Sequence, residues 1–83
     1  MNLLDEIVMV YEGEDILKAD GFDDAVIGIE TNTMRLIYSV SKCLAILEAD
    51  GMDYEEAREY FDFNVSGAYV GEQTPIWCDD TMN

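Results

Sequence analysis

The chain has 83 residues, 49% of them hydrophobic, and carries 19 acidic against 4 basic side chains, which gives a formal net charge of -15. A chain this short folds around one core and has no room for a separate catalytic domain, while its apolar content excludes a disordered acidic tail. Its charge repels nucleic acids and anionic membranes and attracts basic protein surfaces.

The first predicted element is an N-terminal helix. Asn2 is a suitable N-cap, and Asp5 and Glu6 fall in the first turn, where the helix dipole favours negative charge. Gly13 is expected to end the helix, and the stretch 14–24 is interpreted as a short helical turn followed by a loop. The apolar residues that recur at helical spacing are Leu3, Leu4, Ile7, Val8 and Tyr11.

A β-hairpin is predicted next. Two apolar runs, 25–30 and 34–39, flank a three-residue turn, which is the pattern of a hairpin. A rival interpretation starts the following helix as early as Met34. The hairpin is favoured because Ser39 and Ser41 are N-cap residues, which are poorly used inside a helix.

Two amphipathic helices follow the hairpin. The first spans about 41–50 and ends at Gly51, which suits a left-handed C-cap. Asp53 opens the second, with Glu56 as its capping-box partner. The apolar stripe of this last helix contains Tyr54, Ala57, Phe61, Val65 and Ala68.

A short strand at 74–78 completes the predicted fold. Pro75 restricts it to a sheet edge or to the start of a strand. The fold class is therefore α+β: one small domain, residues 1–83, with an N-terminal helix, a β-hairpin, two amphipathic helices and a short C-terminal strand. Residues 79–83 are expected to be a frayed polar tail.

The sequence predicts no enzyme, cofactor or metal site. Histidine is absent, which removes the commonest general base and transition-metal ligand. Cys43 and Cys78 are too far apart in sequence for a structural zinc site and are interpreted as small core residues. The acidic segments 20–24 and 48–53 do not match a calcium-binding loop, and caps and turns explain them. The role of Asp20 to Asp24 stays open.

The start of the chain predicts a cytoplasmic protein. Asp5 and Glu6 stand where a secretory signal carries positive charge, and no apolar run approaches the length of a membrane span. We therefore expect no export and no membrane contact.

The surface of the last helix offers the candidate binding site. Glu55, Glu59 and Asp62 repeat at i, i+4 and i+7, which makes a one-sided negative stripe, and Arg58 is placed to pair with Asp62. One interpretation is an ordinary solvated face. The other is an acidic ribbon that imitates a phosphate backbone and covers the nucleic-acid site of a partner. Tyr69 and Glu72 are further candidate contacts with the partner.

Four pieces of the second half, 50–57, 59–64, 67–72 and 74–76, resemble a family of small acidic phage-encoded proteins of unknown function. The resemblance covers about a third of the chain and transfers no functional residue. It implies a phage accessory protein that binds a host or anti-phage defence protein with a basic surface. The alternative is a self-assembling protein, a possible homodimer, joined by an exposed aromatic patch around Tyr69 and Trp77.

Overall fold

The predicted α+β arrangement is the one observed. A computed structural model describes residues 2–68 and 71–82 of the chain. Its helices and strands are, in order, α1 (Leu3–Val10), β1 (Val26–Glu30), β2 (Arg35–Ser39), α2 (Val40–Ala49), α3 (Tyr54–Tyr60) and β3 (Ile76–Cys78). A single 3₁₀ turn, Asp23–Ala25, precedes β1, and a π-helical segment, Phe61–Val65, continues α3.

The first helix begins as predicted. The side-chain oxygen of Asn2 accepts a 2.9 Å hydrogen bond from the Asp5 N–H, which satisfies one of the donors left open at a helix start. Leu4 and Ile7 are buried against the rest of the core. The helix packs against β1 and against the 3₁₀ turn that precedes it.

The segment between α1 and the 3₁₀ turn differs from the prediction. We expected a short helical turn after residue 14, but residues 15–19 have no helical structure. The Ala19 N–H donates instead to the hydroxyl oxygen of Tyr38, at 2.8 Å. The Ala19 N–H therefore finds its acceptor 19 positions further along the chain, in place of the backbone carbonyl that a helix would have offered. We call residues 14–22 the connecting loop.

The hairpin is confirmed, with an irregularity in its first strand. β1 pairs with β2 in antiparallel fashion, and the register shifts between Val26 and Gly28, as in a β-bulge. The Glu30 carboxylate accepts hydrogen bonds from the backbone of Asn32 and from both the backbone and hydroxyl of Thr33. These bonds, led by the one from the Thr33 side chain, lower the pKa of Glu30. Met34 has φ of 58°, so β2 starts one residue later than predicted.

The predicted caps of the later helices are confirmed except at Ser41, which lies inside the first turn of α2. Ser39 caps α2, its hydroxyl oxygen accepting from the Lys42 N–H at 3.1 Å, and Gly51 has φ of 108° after the end of the helix. Asp53 and Glu56 form the complete capping box of α3. α2 packs on β2 and on α3, so these two helices connect β2 to β3 across the core.

The sheet has the order β1-β2-β3, and β3 runs parallel to β2. β3 is thus an edge strand, as Pro75 indicated, although it begins only at Ile76. Trp77 pairs with Tyr38 in the register, and its ring lies 5.1 Å from the Tyr38 ring and 5.4 Å from that of Phe61, in an edge-to-face arrangement with Phe61. These three aromatic side chains join the sheet to the last helix.

The predicted stripe on the last helix is correct only in its middle. Ala57 and Phe61 are buried and Val65 packs against the core, but Tyr54 is 54% exposed and Ala68 is exposed. Ala68 leaves the stripe because the helix widens before it: the Ser66 N–H donates to the Phe61 carbonyl at 2.8 Å, five residues back. Tyr54 is the first residue of α3 and precedes this widening. A stripe counted at 3.6 residues per turn cannot continue through that segment.

Candidate functional site

The carboxylates of this protein are almost all on its surface. Eighteen of the 19 are exposed, and Glu30 is half-buried. Within residues 2–68 and 71–82 there is a single ion pair, between Arg58 Nε and Asp62 Oδ2 at 3.4 Å. The negative charge therefore lies on the surface of a folded domain, and the chain's own lysines and arginines neutralise little of it.

The predicted acidic stripe lies on α3 and the π-helical segment. Glu55, Glu59 and Asp62 are all exposed. Arg58 pairs with Asp62 as predicted, so Asp62 is partly neutralised, whereas Glu55 and Glu59 have no cation partner among the described residues. The stripe thus offers two free carboxylates one helical turn apart.

The other two predicted contact residues do not join this stripe in what the structure describes. Glu72 is exposed and lines a depression with Glu14, Asp15 and Leu17 of the connecting loop, none of which belongs to the stripe. Tyr69 lies outside the described residues. The candidate site is therefore the acidic stripe and its immediate neighbours.

Exposed aromatic side chains stand beside the stripe, and sequence reasoning missed them. Phe63 is 82% exposed and Tyr60 is 43% exposed. A signal was present, since Phe63 is two residues from both Phe61 and Val65, which places it on the side opposite the buried stripe. Two exposed aromatic side chains therefore adjoin the carboxylates of the stripe.

Trp77 does not form the exposed patch that was expected for self-assembly. It is half-buried and packed against Tyr38 and Phe61. The prediction placed Trp77 in the short C-terminal strand with its ring exposed, whereas pairing with β2 brings the ring against the core. Its indole nitrogen is buried without a hydrogen-bond partner among the described residues.

Two hollows adjoin at the π-helical segment. The apolar hollow has a volume of about 300 Å³ and lies between the connecting loop, the π-helical segment and β3; its walls include Leu17, Phe22, Tyr60, Val65, Pro75 and Trp77. The acidic hollow, of about 350 Å³, is lined by Met52, Glu56, Glu59, Tyr60, Phe63 and Asn64. Tyr60 and Asn64 line both hollows, so they are neighbours on one surface.

The expected frayed tail has a defined contact at Asp80. Its carboxylate accepts hydrogen bonds from the Ser39 hydroxyl at 2.5 Å and from the Ser41 N–H at 2.9 Å. These bonds, that of Ser39 first, lower the pKa of Asp80 to about 2. The carboxylate thus stands at the start of α2, where negative charge is favoured.

The two cysteines differ in environment. Cys43 is fully buried, as predicted, and burial raises the pKa of its thiol to about 12, with a further contribution from the charge of Asp80. Such a thiol is protonated and is not a nucleophile. Cys78 is exposed, contrary to the prediction of a core residue, because the edge strand directs it outwards.

Within the described residues, no group of three or more side chains suited to metal ligation comes together. Nor does the same part of the chain contain a helix long and apolar enough to cross a membrane. The features of the α3 surface that can bind a partner are its carboxylates, its exposed aromatic rings and the two hollows.

Comparison with known proteins adds no family. No family model matches the chain, and neither a curated protein nor a solved structure matches it significantly. The resemblance to small phage proteins therefore stays a prediction.

Proposed function

We propose that this is a non-enzymatic binding protein that inhibits or modulates a partner by covering the partner's basic surface with the acidic face of α3. The observation that carries the proposal is the combination of 18 exposed carboxylates with a single internal ion pair among the described residues. Charge of this kind destabilises a compact domain by self-repulsion. A partner with positive charge relieves that repulsion.

The charge density supports imitation of a nucleic acid. The net charge of -15 is distributed over a longest dimension of 38 Å, or one charge per about 2.5 Å, against one per about 1.7 Å for duplex DNA. The helix that carries the acidic stripe is held in place, since Ala57 and Phe61 pack into the core. The proposed partner is accordingly a protein whose basic surface binds DNA or RNA, and the chain itself binds neither.

The biological setting of the proposal comes from the sequence resemblance alone. A phage accessory protein acts in the cytoplasm of the bacterial host, on a host or anti-phage defence protein. The alternative is self-assembly through an aromatic patch around Tyr69 and Trp77; the Trp77 ring is half-buried against Tyr38 and Phe61, and Tyr69 lies outside the described residues. Light scattering over a range of concentrations distinguishes the two, since only the self-assembling protein gains mass.

The test is affinity capture from bacterial lysate at low and high salt, followed by competition with DNA. We expect a nucleic-acid-binding protein that is retained at low salt, is released at high salt and is displaced from DNA by this chain. Retention that does not respond to salt, or a captured partner that still binds DNA, would refute the proposal.

A matched pair of variants tests whether the site is local. Glu55→Lys with Glu59→Lys changes the net charge by the same amount as Glu12→Lys with Glu48→Lys, and all four side chains are exposed. We expect the α3 pair to abolish capture and the control pair to weaken it only modestly. Equal losses would show that total charge acts without a defined surface.

A further inference from the structure

We propose that the apolar and acidic hollows form one docking site for a partner segment in which an apolar side chain stands beside an arginine or lysine. The inference rests on the proposed function, since it names the partner chemistry at the acidic face of α3. It adds that the bound segment is anchored by an apolar side chain and not by charge alone.

The two hollows lie next to each other because they share two lining residues. Tyr60 ends α3 and Asn64 lies in the π-helical segment, and both line the apolar hollow on one side and the acidic hollow on the other. A short peptide lying across these two residues therefore reaches both hollows with neighbouring side chains.

The apolar hollow suits a side chain better than a large ligand. Its volume of about 300 Å³ is at the lower end of the range for small-molecule sites, about 300 to 1,000 Å³. Leu17, Phe22 and Trp77 give it a mainly apolar lining, to which Lys18 and Asp20 of the connecting loop add one charge of each sign.

The exposed aromatic rings have no role in the core. Phe63 is 82% exposed and stands in a π-helical segment, a type of distortion that is frequent at functional sites. The backbone that follows this segment requires a glycine at position 67, because a Cβ atom there would lie 2.9 Å from the Asp62 carbonyl oxygen. The faces of Phe63 and Tyr60 are available to a guanidinium or ammonium group.

Charge complementarity selects a basic occupant. Glu56 and Glu59 line the acidic hollow and are exposed, and neither has a cation partner in the part of the chain that the structure describes. A second copy of the chain is disfavoured, since an isologous contact would bring the same carboxylates of two molecules together. A partner segment with a cation next to its apolar anchor satisfies both hollows.

The test uses the single tryptophan of the chain as a reporter, because Trp77 lines the apolar hollow. Three short synthetic peptides are titrated into the protein: one alternates arginine with leucine, one arginine with serine, and one glutamate with leucine. We expect the arginine–leucine peptide to bind at least about tenfold more tightly than the arginine–serine peptide and to change the tryptophan emission. The glutamate–leucine peptide should not bind.

The outcomes separate this inference from the proposed function. If the two arginine peptides bind equally and the emission is unchanged, the acidic face still binds cations but the apolar anchor is refuted. If neither binds, both the inference and the proposed function fail. A concentration-dependent dimer that Phe63→Ser disperses would overturn the inference in favour of a second copy.

Variants locate the site on the surface. Leu17→Ser and Phe63→Ser alter the two hollows at side chains that are 37% and 82% exposed, and Val10→Ser, at 73% exposure on α1, is the matched control outside both hollows. We expect each hollow variant to weaken the arginine–leucine peptide at least about tenfold and the control to bind as the unmodified protein does. Circular dichroism verifies that all three remain folded, and unchanged affinity of folded Phe63→Ser would refute the site.

Discussion

The hydroxyl group of Tyr38 provides a direct test of how the connecting loop is held. The side chain is fully buried, and its oxygen accepts the 2.8 Å hydrogen bond from the Ala19 N–H. Tyr38→Phe keeps the ring and its contact with Trp77 but leaves that N–H without its acceptor. The loop contributes Leu17 to the apolar hollow, so the change reaches the proposed site as well as the core.

The magnitude follows from the burial of the donor. An unpaired buried donor costs about 1–3 kcal/mol, and because Ala19 is only half-buried we expect a loss of about 1–2 kcal/mol in the free energy of unfolding. Total stability for a chain of this length is of the order of 4–12 kcal/mol. The melting temperature should therefore fall by roughly 4–8 °C per kcal/mol.

The assay is urea unfolding followed by tryptophan fluorescence, together with hydrogen exchange of the Ala19 amide. Tyr54→Phe is the matched control, since Tyr54 is 54% exposed, and it should change stability by no more than about 0.5 kcal/mol. If Tyr38→Phe unfolds like the unmodified protein and Ala19 exchanges at the same rate, the hydrogen bond does not hold the loop.

The same variant has a second signature at high pH. Burial raises the pKa of Tyr38 above its ordinary value of 10.0, so the folded state binds this proton more tightly than the unfolded state does. The resulting stability is complete below pH 10 and is lost as the pH rises through the raised pKa. Cys43, with its pKa raised from 9.0 to about 12, behaves in the same way in both proteins, so the difference between them isolates Tyr38.

Three further changes test other parts of the fold. Gly67→Ala should lower the free energy of unfolding by about 1–3 kcal/mol, because the new methyl group would approach the Asp62 carbonyl oxygen to 2.9 Å. Gly28→Ala is the control, since a methyl group there meets nothing within 4 Å. Equal losses of the two variants in denaturant unfolding would refute the crowding at Gly67. Met34→Val should cost about 1 kcal/mol or more and Met34→Asn much less, since φ is 58° there and asparagine tolerates the left-handed region; equal melting temperatures would contradict this. The lowered pKa of Asp80 means that its contribution is present above its ordinary value of 3.8 and is lost as the pH falls through about 2; acid titration of Asp80→Asn should lack this loss, and parallel acid curves would count against the contact.

The features that the sequence predicted well are local ones. Asp53 and Glu56 are three residues apart, and their capping box depends on nothing outside that turn. Likewise, Ser39 starts α2 through the hydrogen bond that its own hydroxyl accepts, and Gly51 follows its end because glycine readily adopts a positive φ. The acidic stripe could also be predicted from the sequence, because Glu55 and Glu59 follow the period of a regular helix.

The features that it missed depend on contacts between distant residues or on irregular backbone. The connecting loop is held by Tyr38, and Asp80 is held by Ser39, 41 positions away, and neither pairing has a spacing signal. The π-helical segment changes the helical period at Phe61, so the stripe failed at Ala68. The apolar hollow is assembled from three separate stretches of chain and could only be seen in the fold.

The bulge in β1 has a consequence for how the protein behaves at high concentration. β1 has a partner strand on one side only among the described residues, and Val26, Ile27 and Ile29 make it an apolar edge to which a further strand can add. The register shift before Gly28 interrupts the regular pleat, so an incoming strand cannot pair along its whole length. Protection against amyloid-like growth accordingly lies in the backbone of this edge as well as in electrostatic repulsion, and it persists where salt screens the charge.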